Sequence, residues 1–268
     1  MNAQEARAHL QAHRRIVVKV GTTTLTHEGG RLNLQRIERL AWVLTDLRNQ
    51  GKEVILVSSG AIAVGADRLG LAERPRDVRG KQAASAVGQG ALMQIYENFF
   101  RQYNQTIAQV LLTKDVFDDP ERRELAANTF SALLAMHVIP IVNENDTVST
   151  SELGFSDNDS LSAYVARLLE ADALLMLSDT DGLFDSDPKR NPDAKRIPFA
   201  EGVNDTLIGM AGDSAGSLGT GGMFTKVSAA KIAISHGIDT VIADGVEPTV
   251  IFDILNGADT GTLICATH

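Results

Sequence analysis

The 268-residue chain is 44% hydrophobic and 22% charged, the balance of a globular protein with a sizeable core. A formal net charge of −9 argues against nucleic acid or an anionic membrane surface as partner, and no apolar run is long enough to span a bilayer. The single cysteine, Cys265, can form neither an internal disulfide nor a zinc ribbon, so a cytoplasmic location is expected.

Residues 1–14 read as an N-terminal extension without the apolar core of a signal peptide. His9 and His13 stand at helical spacing but lack the glutamate of an HExxH site, so they read as surface positions on a frayed terminus. Residues 15–20 form an apolar strand interrupted by Lys19, a cation that needs a partner at the strand's end. Gly21-Thr-Thr-Thr24 then reads as a hydroxyl-rich turn suited to phosphate oxygens. Residues 34–50 carry Leu34, Ile37, Leu40, Ala41, Leu44 and Leu47 at spacings of three and four, which predicts a helix between an Asn33 cap and a Gly51 stop. A strand at 54–57 runs into Ser58-Ser59-Gly60 and a helix at 61–69. Residues 74–80 read as a charged loop. Residues 81–103 read as a helix in which Gly88 and Gly90 mark a close helix contact.

A strand is expected over 106–112, then a helix opened by Asp119-Pro120 and ending near His137, whose ring suits the negative end of the helix dipole. The strand at 138–142 delivers Asn143-Glu-Asn-Asp146. After a Thr/Ser-rich passage, Asp157-Asn-Asp159 opens a helix. A strand at 173–177 ends at Ser178-Asp179, and the pattern loosens as far as residue 216. A glycine loop at 216–226 precedes a helix at 227–236, and strands at 240–243 and 262–265 flank a short helix near 248–255. Cys265 lies in the last strand and reads as a buried, inert thiol.

Alternating apolar strands and helices predict an α/β fold, a three-layer αβα sandwich around a central, mostly parallel sheet. Ligands of such sheets bind beyond the carboxyl ends of the strands. The unusual residues fall there: Lys19 to Gly21, Ser58 to Gly60, Asn143 to Asp146, and Ser178-Asp179.

Gly219-Thr-Gly-Gly-Met-Phe-Thr-Lys226 offers backbone N–H groups, a helix N-terminus and a lysine, which is phosphate chemistry. Its order is neither a Walker A loop nor a dinucleotide fingerprint. Gly212-Asp-Ser-Ala-Gly216 matches a hydrolase nucleophile elbow, but residues 206–211 lack the preceding strand that motif needs. Phosphoryl transfer to a carboxylate needs no general base, because the attacking oxygen is already ionised. Two lysines, a carboxylate to orient them and glycine-loop amides suffice; Lys19, Lys226 and one of Asp157 or Asp159 meet that requirement.

Lys19-Val-Gly-Thr22, Val57-Ser-Ser-Gly-Ala-Ile-Ala63, Asn143-Glu-Asn-Asp146, Asp157-Asn-Asp159, Ser178-Asp179 and residues 219–226 together resemble the glutamate 5-kinase family of the amino-acid kinase superfamily. The resemblance runs from Arg15 to near the end of the chain, with the motifs in order. It implies the amino-acid kinase fold over 15–268, the amino acid bound by residues 15–170 and ATP by 171–268, and phosphorylation of the glutamate γ-carboxylate at the start of proline synthesis. By resemblance, Lys19, Lys226 and Asp159 are catalytic, and Ser59, Gly60, Asp146 and Asn158 hold L-glutamate. Lys19, Gly21, Ser178, Asp179, Thr220, Gly221, Gly222, Met223, Phe224, Thr225 and Lys226 contact ATP, whose phosphates chiefly hold Mg²⁺. It also implies a homo-oligomer, inhibition by proline and hand-over to a glutamyl phosphate reductase. A short form is expected, without the C-terminal PUA domain of many family members. The segment 147–156 is expected to be a mobile flap.

Overall fold

A computed structural model describes residues 2–27, 31–149, 155, 157–186, 188, 191–213 and 222–266. The chain divides into two compact units, Val20–Phe155 and a second made of Met1–Lys19 with Ser156–His268.

The chain opens with α1 (Ala3–His9), closed at its start by a capping box in which Asn2 and Glu5 satisfy each other's backbone N–H groups. Strand β1 (Arg15–Val20) follows. The expected frayed terminus is not found. Arg7 is buried, and its guanidinium donates to the carbonyls of Ala258, Thr260, Pro198 and Gly261 at 2.7–3.0 Å while pairing with Asp259 at 2.9 Å. His13, expected at the surface, is buried with Nε2 3.0 Å from Asp239 Oδ2. The physical cause is simple: a planar five-donor guanidinium reaches the carbonyls of Pro198 and of residues 258, 260 and 261 at once, and that docks the helix. Replacing Arg7 by Ala removes four buried or part-buried hydrogen bonds and should cost about 2 kcal/mol of stability; a urea unfolding midpoint equal to the parent's would contradict it.

In the Val20–Phe155 unit, α2 (Thr22–Leu25) replaces the expected hydroxyl-rich turn with a single helical turn that buries Thr24. Helix α3 (Leu34–Asn49) is capped by Asn33, which accepts from the Arg36 N–H, and stops at Gly51 with φ +89°. Strand β2 (Glu53–Ser58) leads into α4 (Ala61–Arg68). Helix α5 (Val78–Gln102) begins inside the segment expected to be a loop, because Asp77 supplies an N-cap. Strand β3 (Ile107–Leu112), the short α6 (Asp115–Asp118), α7 (Pro120–Ala135) and β4 (Ile139–Glu144) complete the unit. Asp119 caps α7 and Pro120 takes its first turn, as the sequence predicts. His137 lies just beyond α7 in a left-handed conformation, φ +61°, where the chain reverses. Strands β3, β4 and β2 lie side by side and parallel; Val57 pairs with Val142, so Ser59-Gly60 and Asn145-Asp146 follow the carboxyl ends of β2 and β4 on the same side of the sheet.

Helices α4 and α5 meet through glycine. A Cβ on Gly88 would lie 1.8 Å from the Ala61 carbonyl oxygen, and one on Gly65 1.7 Å from that of Ala84. Gly90, expected to share this contact, faces open space on an exposed position.

The other unit continues with α8 (Asn158–Leu168), β5 (Ala173–Ser178), the hairpin of β6 (Leu183–Phe184) and β7 (Arg196–Ile197), and β8 (Phe199–Glu201). Helix α9 (Asp205–Asp213), α10 (Met223–Ile234), β9 (Asp239–Asp244), α11 (Val250–Leu255) and β10 (Thr262–Cys265) follow. Here the strand order is β1-β5-β9-β10-β8; β5 and β9 are parallel, and β10 is antiparallel to β9. The sheet is thus mostly parallel and flanked by helices, as the apolar strands require. Cys265 is buried, and burial beside Asp239 pushes its thiol up to about 12, so it stays an inert thiol. Among the described residues no helix is long and apolar enough to cross a membrane.

Candidate active site

The strongest concentration of buried charge lies at the start of α8. Asp159 is 1% exposed, Lys226 5% and Lys19 6%, and these three charges have no business in an apolar interior unless they meet. They do. Lys19 Nζ lies 2.5 Å from Asp159 Oδ1 and Lys226 Nζ 3.6 Å from Oδ2, while the Thr225 hydroxyl donates to Oδ2 at 2.7 Å. Each side chain is delivered by a different element: Lys19 from the end of β1, Asp159 from the first turn of α8, Thr225 and Lys226 from the first turn of α10.

Two acids were open as the orienting carboxylate, and geometry separates them. Asp157 has extended backbone and caps α8, its Oδ1 accepting from the Ser160 N–H at 2.8 Å. Two residues later the helix has turned, and Asp159 points at the lysines. Burial alone would raise the Asp159 carboxyl, but the charges of Lys19 and Lys226 and the hydrogen bonds from Lys19 and Thr225 outweigh it and hold the group below the usual carboxylate range. Burial lowers the Lys226 ammonium; Asp159 and Asp179 pull it back and Lys19 opposes them. The result is a fixed, desolvated cluster carrying two cations and one anion. Its surplus positive charge is what a transferring phosphoryl group requires.

Ser178, whose hydroxyl donates to Asp179 at 3.2 Å, ends β5, and Gly222 is the N-cap of α10, which Met223 opens. Phe224 is half exposed. Thr220 and Gly221 lie outside the described residues, as does Ser214 of the elbow-like motif. Residues 205–213 before that serine are helical, so the strand a nucleophile elbow needs is not there.

The candidate amino-acid residues of the Val20–Phe155 unit gather where β2 and β4 end. Gly60 adopts φ +109°, which an L side chain resists, and this lets Ser59-Gly60 turn sharply from β2 into α4. The Ser59 N–H donates to the Val20 carbonyl at 3.1 Å, and Gly21 follows as the cap of α2. Asn158 opens α8 in the other unit. Asp146 is half-buried; burial raises its carboxyl, and the Ser85 hydroxyl, 2.6 Å from Oδ2, offsets part of that. The neighbours of Asp146 do structural work. Asn143 is buried and donates to Gln89 Oε1 at 3.0 Å. Glu144 accepts from Ser149 Oγ at 2.5 Å and from the Phe155 N–H at 2.9 Å, tying together two points of the segment read as a flap. The remainder of that segment, residues 150–154 and 156, lies outside the described residues. Ser85 and Gln89 were invisible as site residues in the sequence, where they read as ordinary helix positions; their phase with the buried Leu92 and Tyr96 was the available signal.

Residues 14–244 match the profile of the amino acid kinase family. The chain also superimposes on UMP kinase from Bacillus anthracis with a TM-score of 0.64 and 18% identity, over 96% of this chain and 97% of that one, a likeness that carries the fold. With a lysine–aspartate–lysine cluster on that fold, the chain belongs to the amino acid kinase family. Glutamate 5-kinase of Clostridium perfringens is 51% identical over 97% of this chain and 98% of its own, and that of Symbiobacterium thermophilum 51% identical over 96% and 98%. Within the family, the chain falls among the glutamate 5-kinases.

Proposed function

We propose that the chain transfers the γ-phosphoryl group of ATP to the γ-carboxylate of L-glutamate, giving L-glutamyl 5-phosphate and ADP at the first step of proline biosynthesis. The observation that carries this reading is the buried Asp159 held between Lys19 and Lys226. The acceptor carboxylate is ionised at neutral pH and needs no base, so catalysis reduces to positioning and charge neutralisation. Lys19 and Lys226 stabilise the phosphoryl oxygens, and Asp159 keeps both ammonium groups aimed. Ser59, Gly60, Asp146 and Asn158 hold glutamate, with the Asp146 carboxylate on its ammonium. Lys19, Gly21, Ser178, Asp179 and residues 220–226 take ATP. Residues 15–170 serve the amino acid and 171–268 the nucleotide, within one kinase domain.

The donor set bears on the metal. Asp159 has both oxygens engaged by lysine or Thr225, and among the described residues no three His, Cys, Asp or Glu side chains converge as a cage. A cationic cluster suits a triphosphate that brings its own ion, so Mg²⁺ would be held by ATP phosphate oxygens, where it supplies further neutralising charge. Cytoplasmic location, a homo-oligomer, inhibition by proline at the glutamate pocket and transfer of the labile product to a reductase belong to the same proposal.

The test is ADP release with glutamate, N-acetylglutamate, aspartate and UMP side by side, trapping acyl phosphate with hydroxylamine. Glutamate alone is expected to give substantial turnover and a hydroxamate. Faster turnover with N-acetylglutamate would overturn the assignment of Asp146 to a free ammonium.

A further inference from the structure

We propose that one face of α5, formed by Gln82, Ser85, Gly88, Gln89 and Tyr96, is a positioning device that sets the affinity for the amino acid. The proposal rests on the assignment of Ser59, Gly60 and Asp146 to the glutamate pocket. The spacing of three, four and seven along a helix puts these residues on one face. Each touches a different point of the surrounding framework. Gln82 Nε2 donates to the Ser149 carbonyl at 3.1 Å, Ser85 Oγ to Asp146 Oδ2 at 2.6 Å, and Gln89 Oε1 accepts from Asn143 at 3.0 Å. Tyr96, fully buried, shares a 2.8 Å hydrogen bond with Ser58 at the end of β2. Between these rungs Gly88 lets α5 sit directly on Ala61, the first residue after the Ser59-Gly60 turn. One rigid helix therefore fixes both the Ser59-Gly60 turn and Asp146, and so the distance between them.

The chemistry of the face is consistent with that task. All its rungs are neutral, and the charged residues of α5, Arg79, Lys81, Glu97 and Arg101, occupy exposed positions. Asp146 is thus aimed by the neutral Ser85 hydroxyl at one oxygen. A half-buried carboxylate oriented this way gains most from a cation that the substrate brings. Ser85 acts through Asp146 and Gln89 through Asn143, so both are positioning residues.

The experiment compares Ser85→Ala, Gln89→Met, Asp146→Asn and Ser85→Ala/Asp146→Asn by steady-state kinetics, with melting temperature as a control. Ser85→Ala and Gln89→Met are each expected to raise the glutamate KM about tenfold, the size of one lost hydrogen bond to a charged or buried partner, with the ATP KM and kcat within about twofold of the parent. Ser85→Ala should add nothing in the Asp146→Asn background. If Asp146→Asn leaves the glutamate KM unchanged, the pocket assignment itself fails. If Asp146→Asn raises it while Ser85→Ala and Gln89→Met do not, the pocket stands and the role of α5 is overturned. An additive effect in the double variant, or equal rises in both KM values, overturns it as well.

Discussion

Replacing Asp159 by Asn is expected to lower kcat by about a thousandfold and to destabilise the protein at the same time. The carboxylate is the one anion between two buried ammonium groups, and Asn is nearly the same size, so packing is preserved while the charge is lost. Lys19 and Lys226 then repel each other in a desolvated site. The Lys226 ammonium, already lowered by burial, loses the larger of the two aspartate charges that pulled it back up. Lys226 would shed its proton or turn away, and either removes charge from the phosphoryl group. Leaving buried charges unpaired costs about 3 kcal/mol of stability. Lys226→Ala makes the informative contrast: it should lose a similar amount of kcat but much less stability, because the Lys19–Asp159 pair at 2.5 Å survives it. The acid dependence has a definite sign. The folded-state value of Asp159 lies below its unfolded value, so its stabilisation is present above the unfolded value and is lost as pH falls through the folded one. Turnover of Asp159→Asn within about tenfold of the parent would remove Asp159 from the mechanism, and urea unfolding of the two variants separates catalytic from structural loss.

How much of this was legible in the sequence varies with the range of the interaction. Strands such as Ala173–Ser178 and the helix Leu34–Asn49 were readable because apolar runs and three-four periodicity are local properties of the chain. Lys19 was readable because a cation in a buried strand demands a partner, and the fold supplied Asp159. Asp157 and Asp159 were not separable, since both are acids at the start of one helix and only the onset of helical phase decides which caps and which faces the lysines. Residues that satisfy partners far along the chain were missed outright. Ser85 meets Asp146 across 61 positions and His13 meets Asp239 across 226. Helical phase with Leu92 and Tyr96 could mark Ser85 as buried, but nothing in a linear pattern names the partner it meets. The glycines divide in the same way: Gly88 falls in phase with buried Ala84, Ser85 and Leu92, whereas Gly90 lies off that face.

That difference makes the second large effect a matched pair of substitutions. Gly88→Ala should cost roughly 3 kcal/mol or abolish folding, while Gly90→Ala should be neutral or stabilise by up to about 1 kcal/mol. The same residue is added two positions apart in the same helix, so intrinsic helix propensity favours both changes equally. Only at Gly88 does the new methyl collide with backbone, 1.8 Å from the Ala61 oxygen and 2.4 Å from the Gly65 nitrogen. A side chain could rotate out of the way; a helix backbone cannot, so α4 and α5 must separate. Separation moves Ala61 and with it the Ser59-Gly60 turn, and on the other helix it moves Ser85 and Gln89 away from Asp146 and Asn143. Any folded Gly88→Ala enzyme should therefore show a glutamate KM raised more than that of Ser85→Ala, with the ATP KM near the parent's. Melting curves and the two KM values decide it. A Gly88→Ala protein that melts with the parent would refute the close helix contact. One that is destabilised yet binds glutamate normally would show that packing between α4 and α5 supports the fold without reaching the pocket.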